Sequence, residues 1–175
     1  MCGIVRETAC DEGIPMNSEH SFAVSVEWQG NRGTGTSGYR DFSRAVELRA
    51  EGKNAILASA AKTFHGDADR WNPEEQLVAA LSQCHLLSYL HVATRAGVVV
   101  ESYTDAATGT LRTNPDGSGA IVEVVLRPVV TISAGDPRVA QELHAEANRL
   151  CFIANSVNFP VRHEPTIQVL DDELS

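Results

Sequence analysis

The sequence predicts an α+β domain, an antiparallel sheet carrying two principal helices, on three observations. Two segments open with helix-start chemistry, Asn72-Pro73-Glu74-Glu75 and Asp136-Pro137. Between them lies a hairpin signal, Asn114-Pro115-Asp116-Gly117, flanked by long stretches rich in β-branched residues. Ahead of both helices the chain alternates with period two, so that Phe22, Val24, Val26 and Trp28 share one face. The order strands, helix, hairpin, helix, strand does not interleave helices with single strands, which separates α+β from α/β architecture.

Each element has its own warrant. Residues 21–28 predict a first strand by their alternation. Gln29-Gly30-Asn31-Arg32-Gly33 is turn chemistry, after which residues 34–43 predict a second strand and residues 45–49 and 54–58 two short ones. Residues 59–71 lack a period and predict an irregular loop. In the first helix Asn72 caps, Pro73 fits the first position and Glu75 completes a capping box. The helix is expected to run to about residue 96 and stop at Gly97. Its middle is apolar nearly all round, which predicts a buried central helix. Residues 98–113 and 119–133 predict two long strands joined through Gly117, which tolerates positive φ. A second helix follows to Cys151, then a helical turn near residues 155–159 and a last strand at 165–170. Residues 1–18, with Cys2 and Cys10 and no periodicity, predict a mobile extension, leaving residues 19–175 as one domain.

Composition narrows the function. A chain of 175 residues is large enough for one good core and small for two domains. A net charge of −9 disfavours nucleic acid, whose phosphates need a basic face. No uninterrupted apolar run approaches the ~20 residues of a membrane span, so no membrane partner is expected. The start Met1-Cys2-Gly3-Ile4-Val5-Arg6 lacks the pattern of a secretory signal. A cytoplasmic protein is the default expectation, in a compartment that keeps thiols reduced. Phosphate-loop, dinucleotide and serine-hydrolase fingerprints are absent, so no cofactor is expected.

The remaining chemistry lies in Cys84 and Cys151, each embedded in a helical pattern and without a second cysteine two residues away. Taken singly, either one reads as a small buried apolar residue. Taken together, two thiols brought close by a fold suggest reversible dithiol–disulfide exchange. With His85 and His144 they could also form a zinc set of two sulfurs and two nitrogens. Adjacent Cys84 and His85 point about 100° apart on a helix, which hinders joint ligation, so no metal is expected.

The Asn72-Pro73-Glu74-Glu75 start, the Ala79-Ala80 pair, Cys84 ten residues after Glu74 and Cys151 another 67 residues on resemble the osmotically inducible protein C / organic hydroperoxide resistance superfamily. The turn Gly30-Asn31-Arg32-Gly33 is similar to the family's arginine-bearing strand–turn. Gln83, His85 and Phe152 depart from the residues that usually flank the two cysteines. The resemblance implies an intertwined homodimer that reduces organic hydroperoxides with an external dithiol as reductant. It implies Cys84 as the peroxidatic cysteine, Cys151 as the resolving one, and Arg32 with Glu74 as an ion pair at the site. Arg40 is a rival for the arginine's task. Without the resemblance Arg32 reads as a surface turn residue, and Glu74 as a first-turn carboxylate favouring the helix dipole.

The implied reaction needs these residue types. Peroxide is attacked by a thiolate, so a cysteine of ordinary pKa near ~8.5 must be helped to ionise. A guanidinium steadies that charge and the alkoxide that leaves, and a carboxylate holds the guanidinium in place. Glu74 and Cys84, about 15 Å apart along one straight helix, cannot meet there. Either the helix starts later or the site is shared across a dimer, and the apolar helix favours the second. Trp71, Leu77, Leu81, Leu87 and Phe152 are candidates for an apolar wall near the thiol, favouring alkyl peroxides. The alternative function is a redox sensor or ligand-binding protein on the same fold that oxidises without turnover.

Overall fold

The computed structural model describes residues 19–170; the expected extension at residues 1–18 lies outside them. Three small sheets and two helices make up the α+β architecture. The first sheet joins β1 (Ser25–Trp28), β2 (Val46–Arg49) and β3 (Ile56–Ala58), all antiparallel. Helix α1 (Pro73–Arg95) follows, then β4 (Val99–Asp105), β5 (Thr108–Thr113), β6 (Gly119–Leu126) and β7 (Pro128–Ala134). Helix α2 (Pro137–Leu150) leads to β8 (Val161–His163) and β9 (Thr166–Val169). The second sheet has the order β4-β7-β9 and the third β5-β6-β8, with the C-terminal strands β8 and β9 pairing parallel to β6 and β7. The expectation of a purely antiparallel sheet is thus corrected to mixed sheets.

Both helices start as their sequences dictate. Asn72 Oδ1 accepts the Glu75 N–H at 2.9 Å while Glu75 Oε2 accepts the Asn72 N–H at 3.3 Å, a complete capping box. Asp136 caps α2 by accepting the Arg138 N–H at 2.8 Å. Gly97, at φ 71°, ends the first helix as its lack of a side chain allows.

Three strand expectations need correction. Residues 34–43 form no strand, because Gly33 and Gly35 sit at φ 107° and 59° and Asn31 Oδ1 accepts both their N–H groups. That local turn captures the donors a ladder would need. The two long strands each break into two, β4 and β5 at residues 106–107, β6 and β7 at Arg127. Pro128 cannot donate to a ladder, and the Arg127 N–H goes instead to Asp105 Oδ1 at 2.6 Å, pinning both breaks at one corner. The short strand β8 carries no alternation and was not anticipated.

Helix α1 is not buried all round. Leu81, His85, Tyr89, Val92 and Ala93 form its buried stripe, while Leu87 and Leu90 face outward at 57% and 36% exposure. By length and composition alone α1 is apolar enough to cross a membrane, although polar residues interrupt its apolar run. Part of that apolar content is buried in the stripe between α2 and two sheets. The β1–β3 sheet, with every residue of β1 exposed, is tied to the body at Ala58, which bridges to Trp71.

The core is divided. Tyr89, Val92, Val130, Ile132 and Ala140 belong to one apolar cluster, and Leu81, Val124 and Leu126 to another. On α1 the residue between Leu81 and Tyr89 in the buried stripe is His85. It stacks with His144 of α2 and His163 of β8, at centroid separations of 5.3 and 5.6 Å. His85 and His144 are wholly buried, and a 3.0 Å hydrogen bond joins His85 Nε2 to His144 Nδ1. Burial, then the neighbouring His163, lowers the His85 pKa to about 4, against an opposing pull from Asp105. Burial, then His85 and His163, lowers His144 to about 3. His163 is lowered too, by burial.

Two predictions follow from this core. Leu81→Ala, at a fully buried position, is expected to cost about 2–5 kcal/mol in urea unfolding, since the site cannot fully collapse; a cost below 1 kcal/mol would show a looser core. The imidazoles titrate lower in the folded chain than unfolded, so the folded state binds fewer protons. Their stabilising contribution is complete above pH ~6.5 and is lost as pH falls toward the folded values near 4 and 3. Urea midpoints are expected to drop between pH 7 and 4.5, each imidazole supplying up to about 1.4 kcal/mol per pH unit. A flat profile over that range would contradict the burial of neutral rings.

Candidate thiol site

Cys84 lies on α1 next to His85, and Cys151 is the C-terminal cap of α2. The buried stripes explain how they meet. Tyr89 Oη donates to Ala140 O at 3.0 Å, His85 meets His144, and the Cys84 and Cys151 side chains share a hydrogen bond. Residue numbers fall along α1 as they rise along α2, so the helices run antiparallel and carry the cysteines into contact. Both are free thiols.

The two sulfurs differ in environment. Cys84 is partly exposed, whereas Cys151 is 1% exposed. Burial first, and the hydrogen bond to Cys84 second, push the Cys151 thiol up to about 11. The backbone N–H of Ala154 approaches the Cys151 sulfur at 3.4 Å, the weaker opposing influence.

The other residues singled out in the sequence are not gathered at this thiol pair within one chain. Because α1 begins at Pro73, Glu74 and Cys84 share one helix and stand about 15 Å apart along it. Glu74 instead lines a groove of about 550 Å³ on another face of α1, with Trp71, Val78, Ser82, Leu86 and Asp105 among its walls. Its Oε2 atom is buried there with no hydrogen-bond partner. Arg32 and Arg40 are exposed in the loop after β1 and form no ion pair among the described residues. Of the residues expected to form an apolar wall, Leu81 is sealed in the core with Leu77 packed partly buried against it, while Trp71, Leu87 and Phe152 are exposed.

His85 and His144 do belong beside the thiol pair, one rung along the helix contact. His85 Nδ1 and His144 Nε2 are buried there without hydrogen-bond partners. His91 is exposed and belongs to neither rung. His163 and Asp105 were missed from the sequence, since a lone residue in a three-residue strand and one at a strand corner show no pattern. Among the described residues no three His, Cys, Asp or Glu side chains are placed to hold a metal ion.

Comparison with known proteins gives this geometry a family. A family model described as OsmC-like protein matches residues 66–166, which hold α1, both hairpins, α2 and both cysteines. A solved OsmC-like protein of unknown function from Vibrio cholerae is 34% identical, covers 84% of this chain and 99% of its own, and superposes with a TM-score of 0.75. The uncharacterized protein YmaD of Bacillus subtilis is 24% identical over 144 residues, 80% of this chain and 88% of its own length. An organic hydroperoxide resistance protein from Elizabethkingia anophelis shares the fold at a TM-score of 0.64 and 18% identity, over 89% of this chain and all of its own. With more than half the chain matched by the family model, this protein belongs to the OsmC-like family.

Proposed function

We propose that this protein is a thiol peroxidase that reduces organic hydroperoxides to alcohols through Cys84 and Cys151. The observation that carries the reading is the asymmetric thiol pair: a partly exposed sulfur beside a buried one, the two side chains in contact between α1 and the end of α2. In the first step the Cys84 thiolate attacks one peroxide oxygen and the O–O bond breaks. The alkoxide leaves and takes up a proton as the alcohol, and Cys84 becomes a sulfenic acid. In the second step the Cys151 sulfur displaces the sulfenic oxygen, which leaves as water with the Cys151 proton, and the disulfide forms. An external dithiol then reopens the bridge by exchange.

The working unit in this reading is a homodimer in which partner chains complete each site. Arg32 without an ion-pair partner, Glu74 with a buried oxygen lacking one, and the outward Leu87 and Leu90 of α1 support that arrangement. A guanidinium seated on Glu74 would be a rigid donor for the developing oxyanion. Residence in the cytoplasm, where dithiol reductants are plentiful, belongs to the same proposal.

Steady-state reduction of tert-butyl hydroperoxide with dithiothreitol tests the cycle. Cys84→Ser is expected to abolish turnover. Cys151→Ser is expected to permit one oxidation of Cys84 and no disulfide between positions 84 and 151. Replacing the arginine that serves the thiolate, Arg32→Ala or the rival Arg40→Ala, should lower kcat on the order of 10²–10³-fold. Full turnover by Cys84→Ser would sink the reading, and a single oxidation of the unsubstituted protein without sustained rate would leave a sensor in its place.

A further inference from the structure

The contact between α1 and α2 is a ladder with three rungs: Tyr89 with Ala140, His85 with His144, and Cys84 with Cys151. The middle rung joins its neighbours directly. Tyr89 stacks on His144 at 4.1 Å, and His85 follows Cys84 in sequence. On α2, Ala140, His144, Ala147 and Cys151 form one wholly buried stripe. A shift of the imidazole rung must therefore move the thiol rung with it.

This rung tolerates neutral rings and little else. Two neutral imidazoles carry two ring protons: one lies in the bond His85 and His144 share, and the other occupies one of the two outer nitrogens, leaving a single outer nitrogen of the pair bare. The nitrogens that further protons would occupy, His85 Nδ1 or His144 Nε2, and Nδ1 of His163, are buried without partners. Each added N–H would lack an acceptor, and each added charge would face another ring 5.3–6.3 Å away. The groups around the layer offer little relief. From α1 and β4 come Tyr89 and Tyr103, whose ring centroids lie 5.9 Å apart, and the Tyr89 hydroxyl already donates to Ala140 O. Asp105 of β4 is the carboxylate that acts on His85, but its oxygens already accept from Ser82 Oγ and the Arg127 N–H. Glu164, beside His163, is turned outward to Arg127 at 3.0 Å. Asn148 of α2 buries an unpartnered Oδ1.

We propose that His85, His144 and His163 form an acid-released latch: neutral, they hold α1 and α2 in the register that buries Cys151 against Cys84, and protonation frees Cys151 while the sheets stay paired. The ladders of β4 with β7 and of β5 with β6 are backbone hydrogen bonds that do not pass through the imidazoles, so release can stay local to the helix pair. Each proton taken up lowers the ratio of closed to open latch about tenfold per pH unit, and two protons about a hundredfold.

The test needs no catalytic turnover, so its failure is distinct from failure of the peroxidase reading that gives the thiol pair its task. In Cys2→Ser/Cys10→Ser/Cys84→Ser protein, Cys151 is the one thiol of the original four left. Its rate of modification by dipyridyl disulfide, a reagent active at acid pH, is compared with that of the urea-unfolded chain at each pH. Protection of Cys151 is expected to fall at least about tenfold per pH unit below pH 6, with the far-UV circular dichroism of the sheets unchanged. His85→Gln/His144→Gln in the same background keeps hydrogen-bonding capacity without titrating, and is expected to flatten that fall. Should the double variant not fold, imidazole NMR of the unsubstituted rings decides: titration below pH 5 in step with lost protection supports the latch. Protection that is flat with pH, that vanishes only with the circular dichroism signal, or that falls equally in the folded double variant overturns the latch. Ring titration near pH 6.5, the ordinary value, does so as well.

Discussion

The antiparallel contact of α1 with α2 is the constraint on which the rest depends. Cys84 and Cys151 are 67 residues apart and belong to different helices, so nothing local brings them together. Their meeting requires Tyr89 to reach Ala140 and His85 to reach His144, and those contacts fix both the rotation and the register of the helix pair. The sheets supply the platform. The corner where Asp105 holds the Arg127 N–H breaks both arms of the one long hairpin, so that β4 with β7 supports one apolar cluster and β5 with β6 the other. The imidazole layer falls between those clusters, where the buried stripe of α1 crosses from one to the other.

From that placement follows the division of labour between the sulfurs. The end of a helix at the core's edge leaves Cys151 sealed and protonated, while Cys84, part-way along α1, retains access to solvent. Desolvation first, and the shared hydrogen bond second, raise the Cys151 thiol. In the proposed cycle the guanidinium serves both the thiolate and the charge on the departing oxygen. Among the described residues Arg32 has no ion pair and Glu74 Oε2 no hydrogen-bond partner, which supports the proposed completion of the site by a second copy.

Much of the fold was legible because local chemistry decided it. Asn72, Pro73 and Glu75 could only cap a helix, Asp136 and Pro137 did the same for α2, and Gly117 marked the hairpin at φ 86°. What could not be read depended on partners distant in sequence. Residues 34–43 have strand-like composition, but Asn31 takes the N–H groups of Gly33 and Gly35 and curls the segment. The apolar content of α1 suggested burial on every side, whereas a single chain covers one stripe and leaves Leu87 and Leu90 outside. The thiol pair was legible through spacing and resemblance. His163 was not, since its role comes from a parallel strand pairing, β6 with β8, that no sequence period announces.

The most direct measurement is disulfide mapping by peptide mass spectrometry after one equivalent of organic hydroperoxide is added to the reduced, full-length protein. The account predicts a single new bridge between Cys84 and Cys151, with Cys2 and Cys10 unmodified. Oxidation that stops at sulfinic acid on Cys84 with Cys151 still a free thiol, or a bridge that runs to Cys2 or Cys10 instead, would contradict it.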